Sequence, residues 1–380
     1  MKFAFSNGNT ELRSYTEIDL LQIEKNYLNY KALVKNKEIM AVVKADAYGH
    51  GAVEVAKRLE NLGVSIFATA TLDEAAQLRR SGIFGDILVL GYTHPKLADR
   101  LYELDITQTL LSEKYADALA RSTDKILKCH VAINTGMNRI GLHTANNELL
   151  CEQIHGFSKR FDIRGIYTHL ACAASGEEED VIFTKKQLDR FSSVLRGTRD
   201  LKIPSVHCLN SAGGLSYDDY APAEANIIRL GILLYGLAPS ENYKFPSGIL
   251  PALSWKCILS HILSVDSGER IGYGKGCITD KKTKVGVLSC GYADGYKRCL
   301  SSRAEVLVGG ARARILGNIC MDQIMVDLSD IDAEEGSVVT LIGKSGAEWI
   351  FADTLAKLAD TIGYEIVTGI SSRVKRTYLN

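Results

Sequence analysis

Eight short apolar runs alternate with amphipathic stretches, and past residue 240 the pattern gives way to short strands broken by glycine. Together these observations predict an α/β chain: a TIM (β/α)8 barrel over residues 14–240, then a mostly β domain over 241–380 that also takes in the N-terminal segment 1–13. At 380 residues the chain is longer than one hydrophobic core usually serves. A doubly wound sheet would alternate strand and helix as well, so it is the count of eight that selects the barrel.

In chain order, a helical stretch runs from residue 20 to about residue 35. The strands are expected at 40–44, 65–69, 87–90, 107–110, 127–134, 163–169, 205–209 and 227–230. Helices are expected between them. Thr71-Leu-Asp-Glu74 has capping-box form, and Gly82 marks that helix's stop. Further helical stretches cover 95–103, 112–121, 146–159 and 179–196. Ala238 to Gly248, with two prolines and many polar residues, reads as a linker. Beyond it, strands are expected at 257–264, 284–288, 304–308, 313–316, 323–327 and 338–342, with one helix at 351–359.

Composition excludes several classes. Lysine plus arginine equals aspartate plus glutamate at 45 each, which gives no electrostatic case for nucleic acid or an anionic membrane. Nine cysteines without a C-x-x-C pair read as free thiols of a reducing compartment, with no metal site. Met1 to Phe5 is too short an apolar run for a signal peptide, and no segment reaches the roughly 18 apolar residues of a membrane helix. The expectation is a cytoplasmic protein with a small-molecule substrate.

The stretch that organises the barrel is Ile39-Met-Ala-Val-Val-Lys-Ala-Asp-Ala-Tyr-Gly-His-Gly51. A buried strand ends in Lys44, a glycine turn follows, and a helix begins at Ala52. The carboxyl end of a strand is where α/β proteins place reactive groups. A desolvated lysine has a lowered pKa and can form a Schiff base, whereas a strand-end lysine that snorkels to solvent does neither. Other strand ends carry Arg139 within Asn134-Thr-Gly-Met-Asn-Arg-Ile-Gly141, His169 after the sixth strand and Asn210-Ser-Ala-Gly-Gly214 after the seventh. Arg229-Leu-Gly-Ile232 lies in and after the eighth. Singly, each has a plain structural explanation. Jointly they put an amine, two arginines, a histidine and a hydroxyl beside small residues at one rim. The ends of strands seven and eight are the usual phosphate site of this barrel. A reactive amine with a phosphate cradle suggests pyridoxal 5′-phosphate (PLP). In the second domain, Gly272-Tyr-Gly-Lys-Gly276 lacks the strand and helix of a nucleotide loop, so that reading is rejected.

From Arg13-Ser-Tyr-Thr-Glu-Ile-Asp19 to Ser371-Ser-Arg-Val-Lys-Arg376 the chain resembles the alanine racemase family. The motifs that carry this are Ala41 to Gly51, Thr135 to Gly141, Thr168-His169, Asn210-Ser-Ala212, Arg229 to Ile232, Tyr273-Gly274, Gly291-Tyr-Ala-Asp-Gly295, Cys320-Met-Asp322 and Tyr364-Glu365. The resemblance implies a PLP enzyme working as a homodimer with shared active sites and supplying D-alanine for peptidoglycan. Lys44 would hold PLP and act as one base, and Tyr273 of the other subunit as the second. His169 and Arg229 would support them, with Arg229 on the pyridine nitrogen. Tyr48, Asn210, Ser211, Gly231, Ile232 and Tyr364 would bind the cofactor. Arg139, Met321 and Asp322 would serve the substrate, and Tyr292 and Arg298 the entrance corridor. The chain departs from the family's pattern at Ala132, where many members have a carbamylated lysine that orients the substrate arginine. Asn318 stands for a corridor arginine, and Ala174 for an acid. An anion or Asn134 would then have to orient Arg139. These departures leave serine or a broader amino-acid range as an alternative substrate. A PLP-dependent decarboxylase, a class I aldolase and a non-catalytic PLP-binding protein explain Arg229, Tyr273 and the second domain less well.

Overall fold

The structure, a computed structural model, describes residues 11–380 apart from Lys35, Ala145, Asn242 and Lys275. Residues 1–10 of the segment expected to accompany the β domain lie outside the described residues. The chain divides into two compact units, residues 24–234 with 242–249, and residues up to 23 with 235–241 and 250–380.

Ser14–Asp19 forms strand β1, which belongs to the second unit and is described with it. The first unit is an eight-stranded parallel barrel: β2 (Glu38–Val42), β3 (Ile66–Thr69), β4 (Asp86–Val89), β5 (Ile106–Leu110), β6 (Lys128–Ala132), β7 (Asp162–Tyr167), β8 (Ser205–His207) and β9 (Ile227–Leu230). All eight expected strands are present. They run as β8-β7-β6-β5-β4-β3-β2-β9. Burial on both faces explains why they read as unbroken apolar runs: β5 and β9 are buried throughout. The barrel is nearly closed. Between β8 and β9 there is one isolated bridge, Leu209 to Ile228, helped by Asn226, whose side-chain oxygen accepts from the Val206 N–H at 2.9 Å.

Several expected strands are shortened at their carboxyl ends. Residues 133–134 and 168–169 leave the ladder, and β2 stops at Val42, two residues before Lys44. These are the positions that carry side chains to the rim. The capping box at Thr71 and Glu74 forms as the sequence indicates.

The second unit is a mixed sheet of β1 with β10 (Leu253–Val265), β11 (Thr283–Leu288), β12 (Glu305–Val308), β13 (Ala311–Leu316), β14 (Ile324–Asp327), β15 (Val338–Ser345), β16 (Glu348–Ile350) and β17 (Lys375–Leu379). The order is β16-β15-β12-β13-β14-β11-β10-β1-β17, with β15 also pairing β10. The pairs are antiparallel except β1 with β17. Thr16 stands opposite Trp255, and the Trp255 indole N–H donates to Ser14 Oγ at 2.9 Å. The expected barrel boundary at residue 14 thus falls at the start of a strand that pairs inside this second sheet. No helix among the described residues is long and apolar enough to cross a membrane.

One packing detail in the barrel is tested directly. A Cβ built on Gly165 in β7 would lie 2.4 Å from Cε1 of the His130 ring on β6. Gly165→Ala should therefore destabilise the protein by about 1–3 kcal/mol through overpacking. Urea denaturation measures this, and an unchanged midpoint would show that the His130 ring does not press on that strand.

Candidate functional site

Beyond β2 the backbone does not make the expected simple glycine turn. Ala45 (φ 52°, ψ 49°), Asp46 (52°, 49°), Ala47 (53°, 49°) and Tyr48 (φ 53°) form a left-handed helical turn that starts at Lys44. Each non-glycine residue in this region costs about 1–2 kcal/mol. Three side chains hold the turn. Glu74 accepts from the Ala45 N–H at 2.8 Å, Asp46 accepts from the Ala52 N–H at 2.8 Å, and His50 Nδ1 lies 3.0 Å from the Tyr48 carbonyl. Lys44 is half-buried at its start. Burial, then the nearby charge of Arg139, pulls the Lys44 amine below its ordinary pKa; Glu74 opposes this and Arg229 adds to it.

Arg229 is buried and has no carboxylate partner among the described residues. Its Nη1 donates to His207 Nδ1 at 2.8 Å and to the His207 carbonyl at 3.0 Å. Its Nη2 donates to the Thr168 carbonyl at 2.8 Å and to His169 Nδ1 at 3.1 Å. The guanidinium also lies over the Tyr167 ring, 5.3 Å from its centroid. No acceptor among the described residues meets its fifth donor, the Nε–H. His207 Nε2 is 2.8 Å from His130 Nδ1. Burial and the charge of Arg229 hold His169 and His207 well below the ordinary histidine pKa, and burial with Arg164 and Arg229 brings His130 down to about 3.

Near this arginine, the Gly231 N–H donates to Ser211 Oγ at 2.9 Å. A Cβ on Gly231 would lie 2.9 Å from Tyr48 Oη, so only glycine leaves that space open. Tyr48 is buried, which pushes its phenol up to about 12. Asn210 Oδ1 accepts from the Gly213 N–H at 2.8 Å and so shapes the turn containing Ser211. Ile232 begins a 3-10 turn, Ile232–Tyr235. These groups form a cradle of hydroxyls and small residues at the ends of β8 and β9.

The remaining sequence-derived residues, Arg139 apart, lie in the second unit. Tyr273 is 72% exposed, and its carbonyl accepts from Asn318 Nδ2 at 2.8 Å. Met321 is exposed, and its carbonyl accepts from the Ala293 N–H, next to Tyr292. Asp322 pairs with Arg373 at 2.6 Å, and Arg373 reaches the buried Asp294 at 3.5 Å. Asp294 is also paired with Arg13 at 2.5 Å. Arg298 is exposed, and Tyr364 is half-buried at the start of the short helix Gly363–Thr368. Arg139, in the first unit, is exposed. Asn134 does not orient it: the Asn134 side chain is occupied by its own loop, through the Gly136 and Asn138 N–H groups and Asn138 Oδ1.

Comparison with known proteins now bears on this geometry. Residues 18–239 match the family model "Alanine racemase, N-terminal domain", and residues 252–378 match "Alanine racemase, C-terminal domain". The chain belongs to the alanine racemase family. An alanine racemase of Halothermothrix orenii is 39% identical over 374 residues, which is 97% of each chain. The crystal structure of an alanine racemase from Bacillus anthracis with bound L-Ala-P superposes with a TM-score of 0.88 at 35% identity, covering 97% of this chain and 95% of that one. An alanine racemase from Bartonella henselae with covalently bound pyridoxal phosphate gives 0.85 at 29% identity, covering 97% and 99%.

As a member of the alanine racemase family, the chain is an isomerase with the barrel and β domain described above. Sequence reading missed His130, His207, Tyr167 and Glu74, which support Arg229 and the lysine turn. The signal available for the two histidines was a polar residue inside an apolar strand run; Glu74 was visible only as half of a capping box.

Because His130, His169 and His207 stay neutral in the fold, the unfolded chain takes up protons below about pH 6.5 that the folded chain refuses. Stability is therefore full above pH 6.5 and falls as the pH drops. Each such histidine steepens the fall by up to about 1.4 kcal/mol per pH unit. His130→Gln should lessen the slope by about one proton, down to the lower limit of about 3. Urea denaturation of the cofactor-free protein across this range measures it, and an unchanged slope would mean that His130 is charged in the fold.

Proposed function

We propose that the chain interconverts L- and D-alanine with PLP, by a two-base mechanism in a homodimer whose copies share active sites. We further propose that it works in the cytoplasm and supplies D-alanine for peptidoglycan. One juxtaposition carries the reading: an amine with a lowered pKa and a buried arginine without a carboxylate stand in the same barrel. The residues fit PLP. The Arg229 Nε–H, without an acceptor among the described residues, suits a ring nitrogen that accepts, and the opening at Gly231 between Ser211 and Tyr48 suits a phosphate. Tyr48, Asn210, Ser211, Gly231, Ile232 and Tyr364 would hold that phosphate, and Lys44 the aldehyde carbon. The chemistry such a group supplies when bound is an electron sink that acidifies the amino acid's α C–H bond.

The chain's own residues then move the proton. Lys44 Nζ takes it from, or returns it to, one face of the α-carbon; a lowered pKa raises its neutral fraction. Tyr273 Oη from a second copy serves the opposite face. His169, its Nδ1 engaged by Arg229, keeps an Nε2–H with which to steady the phenolate. Arg139 and the Met321 N–H would bind the substrate carboxylate, with Asp322 beside them. Tyr292 and Arg298 would line the entrance. Arg229 does not readily give up a proton, so it would donate to the ring nitrogen without protonating it, which would limit carbanion character there and suppress transamination.

The deciding assay is chiral chromatography of L-alanine and, separately, L-serine incubated with purified protein and PLP. Alanine should racemise well ahead of serine; serine ahead would overturn the substrate assignment, and no change in either would overturn the activity. Tyr273→Phe should keep the absorbance of bound cofactor and lose roughly 10²–10⁴-fold in racemisation, the scale of one acid–base group. Full activity of that variant would exclude the second base. Arg229→Glu should yield pyridoxamine product during turnover with alanine, and its absence would remove the role given to Arg229.

A further inference from the structure

A line of buried rings runs through the barrel from Arg229. Arginine only donates, so the His207 Nδ1 that receives its Nη1–H is bare. His207 is neutral, which places its proton on Nε2, 2.8 Å from His130 Nδ1. His130 Nδ1 is therefore the acceptor, and the His130 proton sits on its own Nε2. Both rings are fixed by β7. The His207 ring stacks on Tyr167 at 4.7 Å with an interplanar angle of 9°, and the His130 ring fills the space that a side chain at Gly165 would need. The far ring lines a cavity of about 70 Å³ together with Asp86, Thr107, Lys128, Arg164 and Ser205, where carboxylate and hydroxyl groups can serve its N–H. These residues lie at or near the amino ends of the barrel strands, so the line reaches from that end toward the rim that carries Lys44.

We propose that His130 is a positioning residue for racemisation. By accepting from His207 it locks the His207 tautomer whose bare Nδ1 fixes the Arg229 guanidinium, and this leaves the Arg229 Nε–H for the cofactor's ring nitrogen. Without an acceptor at position 130, His207 has two poor choices. Either its Nε2–H is stranded, or its proton moves to Nδ1 and faces an N–H of Arg229. Both loosen the arginine. The catalytic half of this inference rests on the assignment of Arg229 to the ring nitrogen; the tautomer half does not.

The test compares the wild-type enzyme with His130→Phe, which removes the acceptor, and His130→Gln, whose side-chain oxygen restores one. The first readout is ¹⁵N NMR of histidine-labelled protein, which distinguishes bare from protonated ring nitrogens of His207. The second is the number of alanine racemisations per pyridoxamine formed. In the wild type His207 Nδ1 should be bare. In His130→Phe the His207 ring signals should change, through a shift of the Nε2–H left without its acceptor or through loss of the bare Nδ1, and the ratio should fall about tenfold or more; His130→Gln should match the wild type in both. A proton on His207 Nδ1 in the wild type overturns the proposal without any variant, which keeps the test decisive even where His130→Phe does not fold. His130→Gln behaving like His130→Phe would reduce His130 to packing and overturn it as well. A changed tautomer with an unchanged ratio would overturn the catalytic half and the Arg229 assignment together.

Discussion

The guanidinium of Arg229 is a buried charge held without a countercharge among the described residues. Burying an ion is costly unless its donors are met, and here four of the five N–H donors are met by dipoles: the carbonyls of Thr168 and His207 and the bare nitrogens of His169 and His207. Those groups belong to the ends of β7 and β8, while Arg229 stands on β9. Between β8 and β9 the ladder is reduced to one bridge. The arginine's bonds therefore span the seam where backbone pairing is thinnest. The requirement also runs outward, since each acceptor must be neutral and correctly oriented, and that fixes which histidine nitrogens carry protons.

A second constraint acts at Lys44. Four consecutive left-handed residues cost about 4–8 kcal/mol in all at the usual penalty. Strain of this size persists only where the surroundings over-determine it. Glu74 shows how the outlay is shared. One of its oxygens takes the Ala45 N–H and the other takes the Ala70 and Thr71 N–H groups at the start of the helix Leu72–Arg80. The carboxylate that caps this helix thus also pins the lysine turn, and its charge favours the charged amine.

The barrel strands were legible because burial on both faces writes them as unbroken apolar runs. The strands left unread are those where burial does not write a pattern. β17 reads Lys-Arg-Thr-Tyr-Leu with no buried position, and β16 is three residues long. β1 alternates only in part, so the residues before the first helix carry no clear strand pattern. In the site, Lys44 and Arg229 stood out because charge inside or at the end of an apolar run demands an explanation. His130 and His207 did not, since a single imidazole in a strand is commonplace and its partner lies 77 residues away. The left-handed turn was hidden for a different reason: Ala45, Asp46 and Ala47 have side chains that disfavour it, so its cause lies in contacts such as those of Glu74, not in local preference.

These arrangements make the barrel rim locally cationic in a chain whose formal charge is zero. Arg139 and Arg229 both act on Lys44, and both also act on His169. Such a rim favours ligands that bring negative charge, such as a phosphate or a carboxylate, and disfavours further protonation of the groups inside it. The same field thus does two things: it favours an anionic group at the rim, and it keeps the amine and the imidazoles toward their neutral forms, the state in which an amine can accept a proton. Ala132 offers Arg139 no charge, and no carboxylate among the described residues pairs with that arginine. An exposed arginine without such a partner can pair with an anion that reaches the rim.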